Sequence, residues 1–280
     1  MTEREFMRYI DLFAGSGGLS LGLYNAGLHG IFAVERNKDA FSTLKYNLIE
    51  RKSHFSWPNW LEMKNWDINE LIEVHSKELA GLNGSVDLVV GGPPCQGFSM
   101  AGKRKNDDIR NQLMHSYIEF IKLVQPTMLF FENVQGFTVG FKDHKDKQKY
   151  SDILVSELHE LGYNLDYKIV TMLEYGVPQN RKRFILFASK NEAYEAFFDE
   201  LFKNKDCFLR DRGLKIPITI SQAINDLKKS HGEIDSKDTK GFKNGKYGRA
   251  TSAYQKLMRS TLNEALSPIV IDSRNIEVRQ

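Results

Sequence analysis

The sequence of 280 residues predicts an α/β fold, a doubly wound and mostly parallel sheet with a small C-terminal α-rich extension. Two observations predict it. β-Branched and aromatic stretches alternate with helical stretches between residues 8 and 189, and these stretches are mostly apolar throughout, as in strands covered on both faces. The alternation weakens after residue 190. We therefore expect one domain over residues 1–190 and a partial C-terminal region over residues 191–280.

Six stretches are the predicted strands of this sheet. They are RYIDLF (8–13), GIFAVE (30–35), VDLVVG (86–91), TMLFFE (127–132), LDYKIVTM (165–172) and RFILFAS (183–189). Helical patterns lie between and after them, over residues 37–50 (with an Asn cap), 112–124, 150–161 (closed by Gly162), 191–202 and 252–266. The Gly-, Lys- and Asp-rich residues 229–251 predict a mobile loop.

Composition bounds the function only loosely. Apolar residues make up 41% and charged residues 27%, and the formal net charge of +3 permits a polyanionic partner without requiring one. No apolar run approaches a membrane span, and the N-terminus has no signal-peptide core. The two cysteines, Cys95 and Cys207, form neither a disulfide framework nor a metal cluster. We expect no metal and a cytoplasmic location.

A glycine-rich turn follows the first predicted strand. In FAGSGGLS, Gly15, Gly17 and Gly18 allow a tight turn and close approach of a cofactor, and Glu35 ends the next strand, where a carboxylate accepts from ribose hydroxyls. Ser20 occupies the sixth position of the dinucleotide pattern, and no P-loop Lys-Ser/Thr is present. A nucleoside cofactor without phosphates, such as S-adenosylmethionine, fits better than a dinucleotide. A plain structural turn is the alternative.

A second acid stands at the place where a third strand is expected to end. Asp67, in NWDINEL, could accept a hydrogen bond from an adenine amino group while Ile68 packs on the ring. An Asp in front of a helix is also a common N-cap, so that alternative stays open.

A cysteine follows the third of the six strands in DLVVGGPPCQGFS. The prolines and glycines around Cys95 are loop formers, and the prolines stiffen the backbone that carries the sulfur. A loop thiol at the carboxyl end of a strand is a nucleophile candidate. A buried structural cysteine is the alternative.

Four motifs in order, FAGSGG, PPCQGFS, ENV and QNRKRF, resemble the DNA (cytosine-5)-methyltransferase family over residues 8–190. The resemblance implies a Rossmann-like methyltransferase fold, S-adenosylmethionine as cofactor and double-stranded DNA as partner. It also implies methyl transfer to carbon 5 of a cytosine swung out of the helix, as the modification part of a restriction-modification system. Cytosine-5 methylation of RNA and a non-enzymatic DNA-binding relative are alternatives. An adenine or exocyclic-amine methyltransferase needs no thiol, so PPCQ argues against it.

The resemblance assigns roles to four residues. Cys95 attacks carbon 6 of the cytosine, which makes carbon 5 nucleophilic. Glu132, at the end of a strand, would hold a proton at ring nitrogen N3, which requires a raised pKa. Arg181 and Arg183 alternate along an extended segment, which predicts a shared face, and the resemblance has them hold the base oxygen and help fix Glu132 and the thiolate. An ordinary turn pair at Glu132 and surface charges at the arginines are the alternatives.

The remaining candidates fall into two sets. The polar stretch 100–113 is expected to close as a lid on DNA, with a solvated charged loop as the alternative. Predicted cofactor-binding residues are Phe13, Gly15, Gly17, Gly18, Leu19, Glu35, Arg36, Asp67, Ile68, Gly92, Pro94 and Leu113. Predicted DNA contacts are Gln96, Ser99, Lys103, Arg104, Lys105, Asn133 and Gln179.

Members of this family usually continue with a target recognition domain and two further motifs. Residues 190–280 hold no convincing recognition domain, although SAYQKLMRS resembles the segment before the final motifs. Three explanations stand open: a second polypeptide that carries the absent part, a truncated gene product, or a shortened sequence. With a second polypeptide we expect an exposed apolar surface near the first helix, where that partner would bind.

Overall fold

The computed structural model describes residues 6–94, 109–138, 149–236 and 240–260. Its main sheet has six strands in the order β2-β1-β3-β4-β6-β5. All six predicted strands are confirmed. Their bounds are β1 Arg8–Leu12, β2 His29–Val34, β3 Leu88–Gly91, β4 Met128–Val134, β5 Asn164–Thr171 and β6 Lys182–Ser189.

The sheet is mostly parallel, as the sequence predicts. Strand β1 is second in this order and pairs in parallel with β2 on one side and β3 on the other, and β3 pairs in parallel with β4. Strand β6 runs antiparallel to β4. The carboxyl ends of β1, β2, β3 and β4 therefore meet at one edge, where ligands of such sheets bind, and β6 begins at that same edge.

Helices cover both faces of the sheet, as a doubly wound fold requires. The helices around the sheet are α1 Gly18–Asn25, α2 Lys38–Leu44, α3 Ile68–Ala80, α4 Ile109–Val124, α5 Tyr150–Glu160 and α6 Ala193–Lys203. On one face, Ile10 and Leu12 of β1 share a core with apolar side chains of α3, α4 and α5. On the other, Tyr9 packs with Leu44 and with Leu48 of the π-helical turn that continues α2.

Local signals place the ends of the helices. The Asn37 side chain accepts hydrogen bonds from the amides of Asp39 and Ala40, so the predicted Asn cap of α2 is confirmed. Gly162, two residues beyond the last residue of α5, has φ +82 and terminates that helix as predicted.

The expectation of a strand that ends at Asp67 is wrong. Between β2 and α3, the chain pairs with the sheet through an isolated bridge of Phe55 to Gly30, and residues 57–66 contain turns and bends but no strand. An added Cβ on Gly30 would overlap the Phe55 ring, so the ring packs directly on the backbone of β2 at Gly30. Asp67 instead caps α3, since its carboxylate accepts from the amide of Asn69.

The chain divides into two compact units, Met1–Val170 with Arg183–Asp199, and Thr171–Lys182 with Glu200–Gln280. The domain boundary predicted at residue 190 stays a prediction. The second unit contains helices α7 Lys205–Asp211, α8 Ile220–Ile224 and α9 Ala253–Ser260. Its small core includes Leu209, Leu214 and Ile218.

The prediction of a loop without regular structure over residues 229–251 is wrong in part. Strands β7 Glu233–Asp235 and β8 Lys243–Gly245 pair antiparallel within this stretch. An ion pair of Lys243 with Asp235 joins the two strands at directly opposed positions. The Gly-, Lys- and Asp-rich composition predicted a mobile loop, whereas part of the stretch forms two paired strands.

In the parts of the chain that the structure describes, no helix combines the length and the apolar character needed to cross a membrane.

Candidate active site

The glycine-rich turn forms where β1 ends at the ligand edge. Phe13, Gly15 and Gly17 have φ values of +58, +57 and +88. Glycine adopts this left-handed conformation without strain, whereas a residue with a side chain, such as Phe13, rarely does. An added Cβ on Gly17 would lie 2.7 Å from Leu48 Cδ1, so a larger residue does not fit there. An added Cβ on Gly15 or Gly18 would meet nothing within 4 Å, so open space lies over the turn.

Glu35 follows β2 and faces this turn. Its Oε2 accepts a hydrogen bond from the Gly15 amide at 2.8 Å, and its Oε1 accepts one from the Asn37 amide at 2.6 Å. Both carboxylate oxygens are therefore held by backbone. Each oxygen keeps a further lone pair, so the carboxylate is still able to accept from a ligand hydroxyl.

Arg36 connects the two candidate acids. Its guanidinium lies 3.7 Å from Asp67 Oδ2, and its carbonyl accepts a hydrogen bond from Asn65 Nδ2 at 2.9 Å. Asp67 thereby stands near the residue that follows Glu35, as well as capping α3. The N-cap role of Asp67 is confirmed, and its contact with a cofactor stays a prediction.

The other cofactor candidates differ in exposure. Ile68 is only 2% exposed and belongs to the core on the α3 side of the sheet. Phe13, Leu19 and Leu113 are half-buried against the two cores. Pro94, at the end of the described β3 loop, is exposed. Their contacts with a cofactor stay predictions.

Two glycines end β3 in very close contact with its neighbours. An added Cβ on Gly91, where φ is +119, would overlap the carbonyl oxygen of Leu12. An added Cβ on Gly92 would overlap the carbonyl oxygen of Glu132. The segment that leads to the predicted nucleophile therefore starts in direct backbone contact with the residue predicted to hold the base.

The predicted nucleophile and its loop lie outside the described residues. This holds for Cys95, Gln96, Ser99, Lys103, Arg104 and Lys105. Their roles stay predictions, as does the lid over residues 100–108. The lid prediction is wrong for residues 109–113, because they form the start of α4.

Glu132 and Arg183 form an ion pair at the ligand edge. Strand β6 runs antiparallel to β4 and places Arg183 opposite Val134, two residues beyond Glu132. The Glu132 Oε1 atom contacts the Nε atom of Arg183. The guanidinium side chain is 10% exposed and the carboxyl side chain 42%, so a buried cation orients a carboxylate that remains accessible. The raised pKa that the resemblance requires of Glu132 stays a prediction.

The Asn133 side chain of β4 is buried and links this strand to the segment that follows β3. It is 4% exposed, its Nδ2 donates to the Pro93 carbonyl at 3.2 Å, and its Oδ1 accepts from the Val134 amide at 2.8 Å. The ENV and PPC segments are therefore linked by a buried hydrogen bond. The predicted contact of Asn133 with DNA stays a prediction.

Gln179 and Arg181 belong to the second compact unit, and both are exposed. The Arg181 amide donates to the Gln179 carbonyl at 2.9 Å, and the Arg181 carbonyl accepts from the Met172 amide at 2.8 Å. Arg183, in contrast, is 8% exposed and lies in the first unit. The structure thus brings Arg183 to Glu132, and the role of Arg181 stays a prediction.

The sequence analysis missed a buried polar pair beneath the glycine turn. Asp11 of β1 is 1% exposed, and it accepts a hydrogen bond at 2.5 Å from the hydroxyl of Ser20 in α1, which has no exposed surface. Burial raises the pKa of Asp11 to about 7, the nearby Glu35 raises it too, and the Ser20 hydrogen bond opposes them. An acid inside the apolar run RYIDLF was the available signal.

A second polar contact lies beside this pair. The Tyr9 hydroxyl is 2.6 Å from His54 Nε2 and 3.5 Å from the Ser20 carbonyl oxygen. Burial lowers the pKa of His54 to about 4, and the charges of His29 and Lys52 add to that effect. The histidine is therefore neutral at physiological pH, as a buried imidazole without an acidic partner should be.

Fold and site together define a class of protein. A mostly parallel sheet with one antiparallel strand, a glycine turn over an acid and an oriented carboxylate at the same edge form a Rossmann-like methyltransferase. The comparison with known families then agrees, because the model for the C-5 cytosine-specific DNA methylase matches residues 7–269. The chain belongs to this family. The match extends beyond residues 8–190, over which the four motifs were recognised.

Individual relatives support the same assignment. The Type II methyltransferase M.XorII of Xanthomonas oryzae pv. oryzae is 36% identical over 187 residues, which cover 65% of this chain and 40% of that protein. The Type II methyltransferase M1.HphI of Haemophilus parahaemolyticus is 34% identical over 197 residues, 69% of this chain and 48% of that protein. The chain thus spans less than half the length of these relatives.

Solved structures show the same fold. A protein encoded within an E. coli prophage, assigned as a DNA modification methyltransferase, aligns with a TM-score of 0.57 and 26% identity over 84% of this chain and 62% of that one. The Dnmt2 methyltransferase of S. pombe aligns with a TM-score of 0.50 and 23% identity, over 69% of this chain and 55% of that one. The second likeness concerns the fold alone.

Proposed function

We propose that this chain transfers a methyl group from S-adenosylmethionine to carbon 5 of a cytosine in double-stranded DNA, as a DNA (cytosine-5-)-methyltransferase. The single observation that supports this best is the pairing of Glu132 with Arg183, directly beside the backbone that leads to Cys95. The Type II methyltransferases among the relatives further support a role as the modification part of a restriction-modification system.

The residues at the glycine turn fit a nucleoside cofactor. Open space over Gly15 and Gly18 leaves room for a ligand against the backbone, and Glu35 is held with free lone pairs at the edge of that space. Asp67 provides a second acceptor, partly exposed and near Arg36. S-adenosylmethionine, bound here, would supply an electrophilic methyl group. Glu35 would accept from its ribose hydroxyls, and Asp67 would accept from its adenine amino group.

The residues of the chain would make cytosine a competent methyl acceptor. The Cys95 thiolate would form a bond to carbon 6, and the ring electrons that this displaces would be stabilised at N3 by a proton held on Glu132. Carbon 5 would then carry the electron pair that takes the methyl group. Loss of the carbon-5 proton to water or another base would break the sulfur–carbon bond and restore the aromatic ring.

Arg183 would serve this step by fixing Glu132. The guanidinium is almost fully buried, so it holds the carboxyl in one orientation while leaving it accessible to the base. The contact of Gly92 with the Glu132 carbonyl, and the Asn133 bond to Pro93, keep the loop before Cys95 and the Glu132 segment at a fixed separation.

Trapping on duplex DNA that contains 5-fluorocytosine tests the proposal. Fluorine cannot leave as the carbon-5 proton does, so a productive attack leaves the protein covalently bound to DNA. We expect an adduct with the unchanged chain and with Cys207→Ser, and none with Cys95→Ser. Cys207 is exposed, so its replacement is a matched control. Absence of any adduct with the unchanged chain on DNA, or an adduct on RNA alone, would refute DNA methylation.

The second polypeptide remains a prediction. Helix α1 exposes Leu21 and Tyr24 at 41% and 37%, which agrees with an apolar surface near that helix. Target recognition would then depend on that second polypeptide.

A further inference from the structure

Helix α1 begins without the capping that usually fixes the start of a helix. Its N-cap residue is Gly17, in a left-handed conformation, which has no side chain to cap the first-turn amides. The first turn also contains no acidic residue. The sequence immediately before α1 is the glycine turn, which is intrinsically pliable. Something other than a cap must therefore set where α1 starts.

A buried hydrogen bond from the sheet does so. Ser20 is the third residue of α1, and its hydroxyl donates a hydrogen bond to the Asp11 carboxylate of β1. Neither side chain is accessible to water. A hydrogen bond to a carboxylate, shielded from solvent, is among the stronger kinds. Tyr9 lies two residues before Asp11, on the same face of β1, and its hydroxyl reaches the Ser20 carbonyl oxygen.

Burying the Asp11 carboxyl group costs free energy of folding, which argues for a role beyond packing. Its Oδ1 atom is buried and has no hydrogen-bond partner among the described residues. An acid with one oxygen unsatisfied, close to the charge of Glu35, lowers the stability of a sheet that an apolar residue would support better. Residues that lower stability in this way concentrate at functional sites.

The glycine turn lies between Asp11 and Ser20 in the sequence, and it is the predicted cofactor-binding surface. Residues 13–17 lie between β1 and α1, and they are also held by Glu35 at the Gly15 amide and by Val34 at the Ala14 amide. The hydrogen bond from Ser20 to Asp11 fixes the C-terminal end of the turn. The contacts at the Ala14 and Gly15 amides hold its N-terminal part and leave the C-terminal end free to move with α1.

We propose that Asp11 and Ser20 are positioning residues, which hold the glycine turn in the shape that receives the nucleoside cofactor. This inference rests on the proposed function for its ligand. It predicts that Ser20→Ala weakens binding of S-adenosylhomocysteine, the demethylated product of the cofactor, by about tenfold, within the range that the loss of a charged hydrogen bond produces. The substitution should also speed hydrogen exchange of the amides in residues 14–19 before any ligand is added.

Ser189→Ala is the matched control. Ser189 also has no exposed surface, and its hydroxyl donates to Asn191 Oδ1 at 2.6 Å, but it lies where β6 pairs with the start of β4, at the opposite edge of the sheet. Both variants should lose thermal stability, because each breaks a buried hydrogen bond. Only Ser20→Ala should weaken the ligand, and Ser20→Thr, which keeps the hydroxyl, should restore most of the affinity.

A double-mutant cycle completes the test. Asp11→Ala should weaken S-adenosylhomocysteine at least as much, because Asp11 also interacts with the Ser20 backbone, and the combined variant should lose little more than Asp11→Ala alone. Isothermal titration calorimetry supplies the affinities. Unchanged affinity and unchanged exchange in Ser20→Ala, with stability lowered as in Ser189→Ala, would overturn the inference. If the unchanged chain itself failed to bind S-adenosylhomocysteine, the proposed function would fail instead.

Discussion

The buried acid Asp11 makes a strong prediction about the pH dependence of folding. Burial raises its pKa from 3.8 to about 7, so the folded protein binds a proton there more tightly than the unfolded chain does. Stability that depends on this proton is fully present below about pH 4 and is lost as the pH rises through 7. With each pH unit worth about 1.4 kcal/mol, the whole effect approaches about 4 kcal/mol.

The perturbation is Asp11→Asn, which removes the titration while keeping an oxygen for the Ser20 hydroxyl. The cost of burying the amide is the same at every pH, so it displaces the stability curve without changing its slope. Between pH 4.5 and 8, the free energy of unfolding of the variant relative to the unchanged chain should therefore rise by about 3 kcal/mol.

His54 acts in the opposite direction and shapes the curve of the unchanged chain. Burial lowers its pKa from 6.5 to about 4, so its contribution to stability is present above pH 6.5 and is lost as the pH falls towards 4. The two residues therefore oppose each other between pH 4 and 6.5. In Asp11→Asn, the His54 effect should remain without the opposing Asp11 effect.

Urea unfolding, measured by circular dichroism at intervals between pH 4.5 and 8, provides the free energies for both proteins. The other titrating groups cancel in the difference between the two curves because both proteins contain them. Parallel curves, with a constant difference across the whole range, would show that Asp11 does not titrate as its burial implies, and the reasoning would be refuted.

Two further predictions concern the ligand edge of the sheet. Gly92→Ala should lower stability by about 1–3 kcal/mol in thermal melting, because its Cβ would overlap the Glu132 carbonyl oxygen. The control Gly22→Ala, at an exposed position of α1 with open space around it, should be neutral or stabilising. Equal melting temperatures for the two variants would contradict this prediction. Glu35→Gln should weaken S-adenosylhomocysteine about tenfold in calorimetry, because the amide offers one acceptor where the carboxylate offers two, and an unchanged affinity would exclude Glu35 from the cofactor site.

The sequence predicted the sheet well because the signals of the strands are local. Long apolar runs specify buried strands whatever the rest of the chain does, so all six appeared within two residues of their observed ends. The antiparallel direction of β6 was not predicted, since strand direction depends on the connection and not on composition. The strand expected before Asp67 failed because Phe55 alone reaches the sheet edge.

The candidate site was predictable where it follows motifs and not where it depends on tertiary contacts. Spacing placed Glu35 beside the glycine turn, and strand ends placed Glu132 at the same edge. Burial of Asn133 against Pro93 is a long-range hydrogen bond with no sequence signature. Ser20 was interpreted as a departure from a dinucleotide pattern, and its bond to Asp11 emerged only when β1 and α1 were brought together.

The antiparallel strand β6 has a consequence for how the protein is made. Synthesis delivers β1, β2, β3 and β4 well before β6, so the glycine turn and Glu35 are able to assemble while Glu132 still lacks its guanidinium. A nascent chain at that stage would have most strands of the sheet in place before Arg183 reaches Glu132 to balance its negative charge. Insertion of β6 beside β4 neutralises that charge, so the last strand of the main sheet to be synthesised is also the one that brings Arg183 to Glu132.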